Sequence, residues 1–171
     1  MPLEIREMIT PGHENAFTVG ARKPDASLAD LPAAHRALLE DEKAVTAVLA
    51  TTNANGRPQL TPVWLSHDGS HINLNSARGR LKDRNLRARP MATMLVMNPE
   101  DPYHWMSIDG VVEKIIEEDD PEVGHLATEN IDALEKKYLG TTPYPLRNHG
   151  EVRVLYKVRP TRVLTFGPAE G

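Results

Sequence analysis

The sequence predicts a mainly β chain, a small closed barrel of six to seven antiparallel strands carrying a few short helices. Three observations predict it. Turn signals recur every 8 to 15 residues between short β-rich runs. Fourteen prolines and eleven glycines punctuate the chain, whereas only eight residues are aromatic (two Trp, four Tyr, two Phe), so the core is aliphatic and the elements short. At 171 residues the chain has the length of one domain, enough to bury roughly 70% of its unfolded surface. Closure is preferred to an open sandwich because it leaves no strand edge exposed.

Residues 1–30 read as an N-terminal extension, because Pro2, Pro11, Gly12, Gly20 and Pro24 interrupt every period. It is either an arm over a partner or a loose tail. Residues 31–168 then form the barrel. Asp30 caps a helix with Pro32 in its first turn; Leu31, Ala34, Leu38 and Leu39 share one face, and the helix runs to about Lys43. Ala44 to Thr52 is β-rich, Asn53-Ala54-Asn55-Gly56 turns, and Gln59 to Leu65 returns as the second arm of a hairpin. Asp68-Gly69 turns again into a third strand, His71 to Asn75.

The segment Arg80 to Arg89 is a short charged helix closed by Pro90, and Met91 to Met97 is an apolar strand. Tyr103 to Ile116 reads as a long strand kinked or bulged at Gly110. A helix starts at Asp119 or Asp120 with Pro121 and ends at Gly140, its apolar positions Val123, Leu126, Ile131, Leu134 and Leu139 matching the helical period only in part. Val152, Val154 and Tyr156 alternate in a strand that Pro160 breaks, and Arg162 to Phe166 adds a last short one.

Composition excludes several classes of function. With no cysteine there is no disulfide, thiolate metal site or cysteine nucleophile, which fits a reducing cytoplasm. The longest apolar run, Met91 to Met97, is far short of the roughly 20 residues of a membrane helix, and residues 1–14 lack the apolar core of a secretory signal. The net charge of −4 argues against bulk nucleic-acid binding. Motifs for serine hydrolases, P-loop NTPases and Rossmann dinucleotide sites are absent. His67 and His71 are four apart but straddle a turn, so no metal site is expected. The acidic run Glu117 to Asp120 is explained by a favourable interaction with the helix dipole.

Two features remain. Between Arg78 and Arg89 six basic residues face Asp83 alone, where a strand ends at Asn75 and Ser76 and a helix begins. Guanidinium forks, an ammonium, a hydroxyl and free helix N–H groups there suit a phosphate, and Gly79 permits close approach of the backbone. With Leu81 and Ala88, Asn85 shares the inward face. The plainer reading is a solvated charged helix. The second feature is Thr61-Pro62-Val63-Trp64: a proline inside a strand marks an edge or an open ladder that can face a planar heterocycle, and the plainer role for Trp64 is core filling.

The order Ala47–Thr52, Gly56-Arg57-Pro58, Thr61-Pro62-Val63-Trp64, Ser76–Leu86, Arg89-Pro90, Ile108–Glu113, Tyr138-Leu139-Gly140 and Val152–Leu155 with Pro160–Val163 resembles the pyridoxamine 5'-phosphate oxidase-like split β-barrel superfamily. Within it the chain is most similar to the flavin/deazaflavin oxidoreductases that use coenzyme F420. The resemblance implies an FMN-binding-like split barrel, a homodimer with two cofactor sites at the subunit interface, and F420 as cofactor, with FMN the alternative. It implies a cofactor phosphate on Ser76, Arg78, Arg80 and Lys82 supported by Asn85, and a ring along Thr61, Pro62, Val63 and Trp64 with Asn75 at the strand end.

The implied activity is hydride transfer from reduced F420 to an electron-poor conjugated small molecule, which needs positioning and exclusion of water rather than paired carboxylates. A non-catalytic module binding a flavin or haem is the rival class. No catalytic residue is assigned; His67, His71 and His104 are the available proton donors. True pyridoxamine-phosphate oxidase activity is not expected, because the chain ends Thr165-Phe166-Gly167-Pro168 without the family's Arg- and Trp-rich segment. Tyr103 and Trp105 are candidates to cover a partner's pocket.

Overall fold

The computed structural model describes residues 2–9 and 18–167. Nine strands form one sheet system. They are β1 (Leu3–Ile9), β2 (Thr18–Ala26), β3 (Ala47–Thr52), β4 (Pro58–Val63), β5 (Leu65–His67), β6 (Ile72–Ala77), β7 (Met91–Met97), β8 (Trp105–Glu117) and β9 (Arg153–Gly167). Three helices join them: α1 (Ala33–Arg36), α2 (Leu81–Ala88) and α3 (His125–Leu139).

The barrel is β3 to β9, all antiparallel. β4 pairs β3, β3 pairs β7, β7 pairs β8, β8 pairs β9, β9 pairs β6 and β6 pairs β5. Only Trp64 separates β4 from β5, so these two are one bent strand and the circuit closes. Alternation sets the inside: Ala47 and Leu49 of β3, Met94 and Val96 of β7, and Val154, Tyr156 and Val158 of β9 are buried in one core.

Within the N-terminal extension, described at residues 2–9 and 18–30, residues 3–9 and 18–26 are part of the sheet system of this chain rather than a loose tail. β1 runs parallel to β9, Glu4 opposite Arg162 through Ile9 opposite Gly167, and β2 pairs β1. Leu3 and Ile5 are buried in the barrel core, and it is this burial that a search for local periodicity in a proline-broken segment does not detect. The first helix is also shorter than expected. Ser27 and Asp30 form a capping box around one 3-10 turn, and α1 spans four residues.

The last strand is one continuous element rather than two. Pro160 lies where β9 changes partner from β6 to β1, a place with no ladder bond to lose on that side. Opposite it the register slips between Asp109 and Gly110, but the extra residue is Thr161 of β9; the bulge expected at Gly110 of β8 therefore lies on the partner strand, and β8 has its own extra residue at Glu113. A Cβ at Gly110 would lie 2.6 Å from Val158 Cγ1, which explains the residue. Asp120 starts no helix; its Oδ1 accepts from the N–H groups of Glu122 and Val123 in a turn, and α3 begins at His125. Gly140 ends α3 at φ 74° as expected.

Candidate functional site

α3 packs on the outside of the barrel wall through Ala127, Ile131 and Leu134, spaced to share one helix face. Its C-terminal half, the corner between β4 and β5, the outer side of β6 and β9, and the start of α2 enclose a cleft of about 250 Å³. One wall is Pro62, Val63 and Trp64; another is Arg80, Lys82 and Arg153; Thr46, Asn75, Tyr144 and Leu146, with Ile131 and Leu134 of α3, complete the lining.

The aromatic wall is held from behind. The Trp64 indole stacks on the Tyr138 ring, centroids 5.2 Å apart and planes 9° apart, and meets Tyr144 edge-on at 6.3 Å. The Tyr138 hydroxyl donates to the Val45 carbonyl at 2.7 Å, which ties α3 to the start of β3. Tyr144 is placed by its own N–H, which donates to Asp132 Oδ1 at 2.9 Å. The half-buried Trp64 therefore both lines the cleft and fills the corner of the barrel.

The polar wall is a network. Arg153 is buried; its Nε donates to Asn75 Oδ1 at 2.8 Å, its Nη1 to Glu151 Oε1 at 2.7 Å, and its guanidinium lies 5.2 Å from the Tyr144 ring centroid. Asn75 is oriented in turn, since its amide donates to the Ala127 carbonyl and to Asn130 Oδ1. Arg80 donates to Glu151 Oε2 at 3.1 Å. Lys82 has no carboxylate partner among the described residues. Burial, and then the charges of Arg80 and Arg153, push its pKa below the ordinary lysine value. A half-buried ammonium facing two guanidinium groups is a place where an anion is favoured, and the adjacent aromatic wall suits a planar ring.

Of the residues singled out in the sequence, the cleft brings together Pro62, Val63, Trp64, Asn75, Arg80 and Lys82. The structure places the other four elsewhere. Thr61 accepts from Gln59 Nε2 on the edge strand. Ser76 is buried, and its hydroxyl has no hydrogen-bond partner among the described residues. Arg78 is paired with Glu117 and Asp119, so the basic run is divided between cleft and surface. Asn85 does turn inward, although with Asp83 and Leu86 rather than Leu81 and Ala88, and it donates to Thr51 Oγ1 and Asn53 Oδ1, tying α2 to the β3–β4 hairpin.

The acidic run also has a different partner from the expected helix dipole: Glu117 and Asp119 neutralise Arg78, and Glu117 also pairs with Arg87. Arg153, Tyr144 and Glu151 were not singled out from the sequence. The signal available was Arg153 at the start of a strand whose neighbour β6 carries Asn75. His67 pairs with Glu40, His71 with Glu113 and Asp68, and His104 is buried against His35; none of the three lines the cleft. Tyr103 and Trp105 lie against Phe166 of the same chain, Trp105 stacked at 5.4 Å. Among the described residues no helix is long and apolar enough to cross a membrane, and no group of three or more His, Asp or Glu is placed to hold a metal ion.

A family model described as pyridoxamine 5'-phosphate oxidase matches residues 31–166. A solved F420 reductase is 30% identical, aligned over 78% of this chain and 98% of its own, with a TM-score of 0.65. A conserved hypothetical protein from Mycobacterium tuberculosis is 24% identical over 76% of this chain and 85% of its own, with a TM-score of 0.56. A haem storage protein from Vibrio cholerae shares the fold at 16% identity and a TM-score of 0.55, over 75% of this chain and 91% of its own. Among curated proteins none matches the chain in sequence.

Proposed function

The chain belongs to the pyridoxamine 5'-phosphate oxidase family, and from that premise we propose that it is an oxidoreductase that holds reduced coenzyme F420 in the cleft and delivers a hydride to an electron-poor conjugated small molecule. The observation that carries this reading is the convergence of Arg80, Lys82 and Arg153 beside the Pro62–Trp64 wall. The 30% identity to an F420 reductase over nearly the whole of that protein supports the choice of cofactor.

When bound, the deazaflavin supplies the hydride from C5 of its ring. The chain's own residues bind and orient. Lys82 and Arg80 bind the cofactor phosphate, and Arg153, fixed by Asn75, adds positive charge behind them. Pro62, Val63 and Trp64 hold one face of the ring system, and Trp64 cannot rotate away because Tyr138 backs it. Tyr144 and Leu146 close the cleft from the α3–β9 connection and exclude water. No side chain of the cleft is needed as a nucleophile.

Two copies pair through the outer face of β3, β4, β7 and β8. There Val48, Leu60, Met91, Leu95 and Met97 are exposed, and Val48 lies opposite both Leu95 and Pro62. A homodimer covers this apolar face, and Pro62, which lies on it and in the cleft, then puts each cofactor site at the subunit interface.

Fluorescence titration with F420 and with FMN, on the wild type and on Arg80→Ala/Lys82→Ala, tests the reading. F420 binds the wild type, and the double variant weakens it by roughly a hundredfold, as expected for two charge-assisted bonds. Tighter binding of FMN makes the same site an FMN oxidoreductase. Binding without hydride transfer to any conjugated acceptor makes it a carrier of a flavin or haem. Equal affinity of wild type and variant for both ligands removes the phosphate cradle altogether.

A further inference from the structure

The cation cluster of the cleft already contains an anion. Glu151, the last residue but one before β9, has a side chain only 6% exposed. Its Oε1 accepts from Arg153 Nη1 at 2.7 Å, and its Oε2 accepts from Arg80 Nη2 and from Asn148 Nδ2, each at 3.1 Å. Its own N–H donates to the Asn148 carbonyl at 3.0 Å, so the turn that carries it is closed on itself. Burial works against ionisation, but Arg153 and then Asn148 and Arg80 outweigh it and hold the carboxyl below the ordinary glutamate value. Glu151 is therefore a fixed negative charge that occupies both arginines, and it leaves Lys82 as the cation without an acidic partner.

We propose that Glu151 is a selectivity residue that acts on the cleft through Arg80 and Arg153, offsetting part of the attraction of the three cations, and by more for a doubly charged phosphomonoester than for a singly charged phosphodiester. The inference rests on the reading above, that the cleft holds a phosphate-bearing redox ring. A phosphate reaching Lys82 and the free edge of Arg80 has the Glu151 carboxylate as its near neighbour across Arg80. Repulsion between fixed charges scales with the charge of the guest, so the free-energy penalty on a dianion is about twice that on a monoanion. The corresponding fold-change in affinity is then about squared. FMN ends in a monoester, doubly charged above the second phosphate ionisation at about pH 6. The phosphate of F420 is a diester and carries one charge. Glu151 thereby narrows the advantage that the cations give FMN over F420, two cofactors that each present a ring system to the aromatic wall.

Glu151→Gln keeps the shape and removes the charge. The probes are FMN, its monomethyl phosphate ester, which has the same ring on a diester, and riboflavin, which has no phosphate, each titrated at pH 8 by flavin fluorescence. In the variant riboflavin is unchanged, the ester gains about threefold and FMN about tenfold, for a carboxylate acting through an effective dielectric of about 20. Equal gains for ester and FMN, or no gain for either, overturn the inference, because a carboxylate that only braces the two arginines does not distinguish ligands by charge.

A measurement on the unmodified protein serves should the variant not fold. The wild type favours FMN over the ester by less than about threefold, because Glu151 offsets part of the attraction of the cations, and FMN tighter by threefold or more overturns the inference. A wild type that binds no flavin and no F420 overturns the functional reading and this inference with it, whereas binding with equal gains overturns this inference alone.

Discussion

The phenol of Tyr156 donates its hydrogen bond to Asp83 Oδ1, which joins β9 to α2 inside the wall of the barrel. Asp83 also accepts from the Gly79 N–H at 2.7 Å and from Arg87 Nε at 2.8 Å. Burial raises its pKa, but Tyr156, Gly79 and Arg87 outweigh burial and bring it below the ordinary value of 3.8. The folded state thus favours the ionised form. The stability this contributes is present above pH 3.8 and is lost as pH falls through the lower, folded-state value. Asp83→Asn destabilises the protein by about 2–3 kcal/mol at neutral pH, read from urea unfolding, because the tyrosine and the backbone donor lose a charged acceptor. The variant also lacks this part of the wild type's loss of stability in acid.

Gly110 sits opposite Pro160, where β9 carries one extra residue, Thr161, and changes partner. An added Cβ would lie 2.6 Å from Val158 Cγ1 and 2.9 Å from the Arg159 carbonyl oxygen, and the backbone atom cannot give way cheaply. Gly110→Ala lowers stability by about 1–3 kcal/mol in thermal or chemical denaturation. An unchanged midpoint would show that the two strands can part at the bulge.

Leu95 projects from the middle of the apolar outer face, between Val48 of β3 and Ser107 of β8. Leu95→Arg buries a charge in each half of a symmetric interface and yields monomers in sedimentation equilibrium, with the far-ultraviolet circular dichroism unchanged. A dimer that survives the substitution would place the contact on another face.

His104 is buried edge-on to His35, ring centroids 4.5 Å apart. Asn98 Oδ1 accepts from the Glu100 N–H, which turns the Asn98 amide nitrogen toward His104 Nδ1 at 3.2 Å and fixes that nitrogen as an acceptor. Burial, and then His35, hold the pKa of His104 below 6.5, with Asp101 opposing and Lys43 adding to the depression. The unfolded chain therefore takes up a proton before the folded one, so stability falls as pH drops below about 6.5 toward the folded-state value. His104→Gln flattens the stability profile in that window, as read from urea midpoints at a series of pH values.

Where the chain repeats a local pattern, the sequence was readable. The β3–β4 hairpin, the strands around Asp68-Gly69, the apolar β7 and the stop at Gly140 all follow from alternation and turn chemistry. What could not be read locally depends on distant partners. β1 lies beside β9 because Leu3 and Ile5 complete a core whose other residues lie far along the chain. The same holds in the cleft. Arg80 and Lys82 stand out in a basic run, but whether each cation is free is decided by acids far along the chain, Glu117 and Asp119 for Arg78 and Glu151 for Arg80. Arg153 belongs to the cleft because β9 pairs with β6 and sets it beside Asn75.

Trp64 is the whole connection between β4 and β5, and the chain changes pairing partner across that one residue. Strand side chains alternate with period two, so lengthening or shortening the joint by one residue would exchange the inner and outer sets of β5, expelling Leu65 from the core. In descendants of this chain, insertions and deletions are therefore barred here while the hairpin tip at Ala54 and Asn55 tolerates them. An alignment gap at this corner would be the mark of a different barrel.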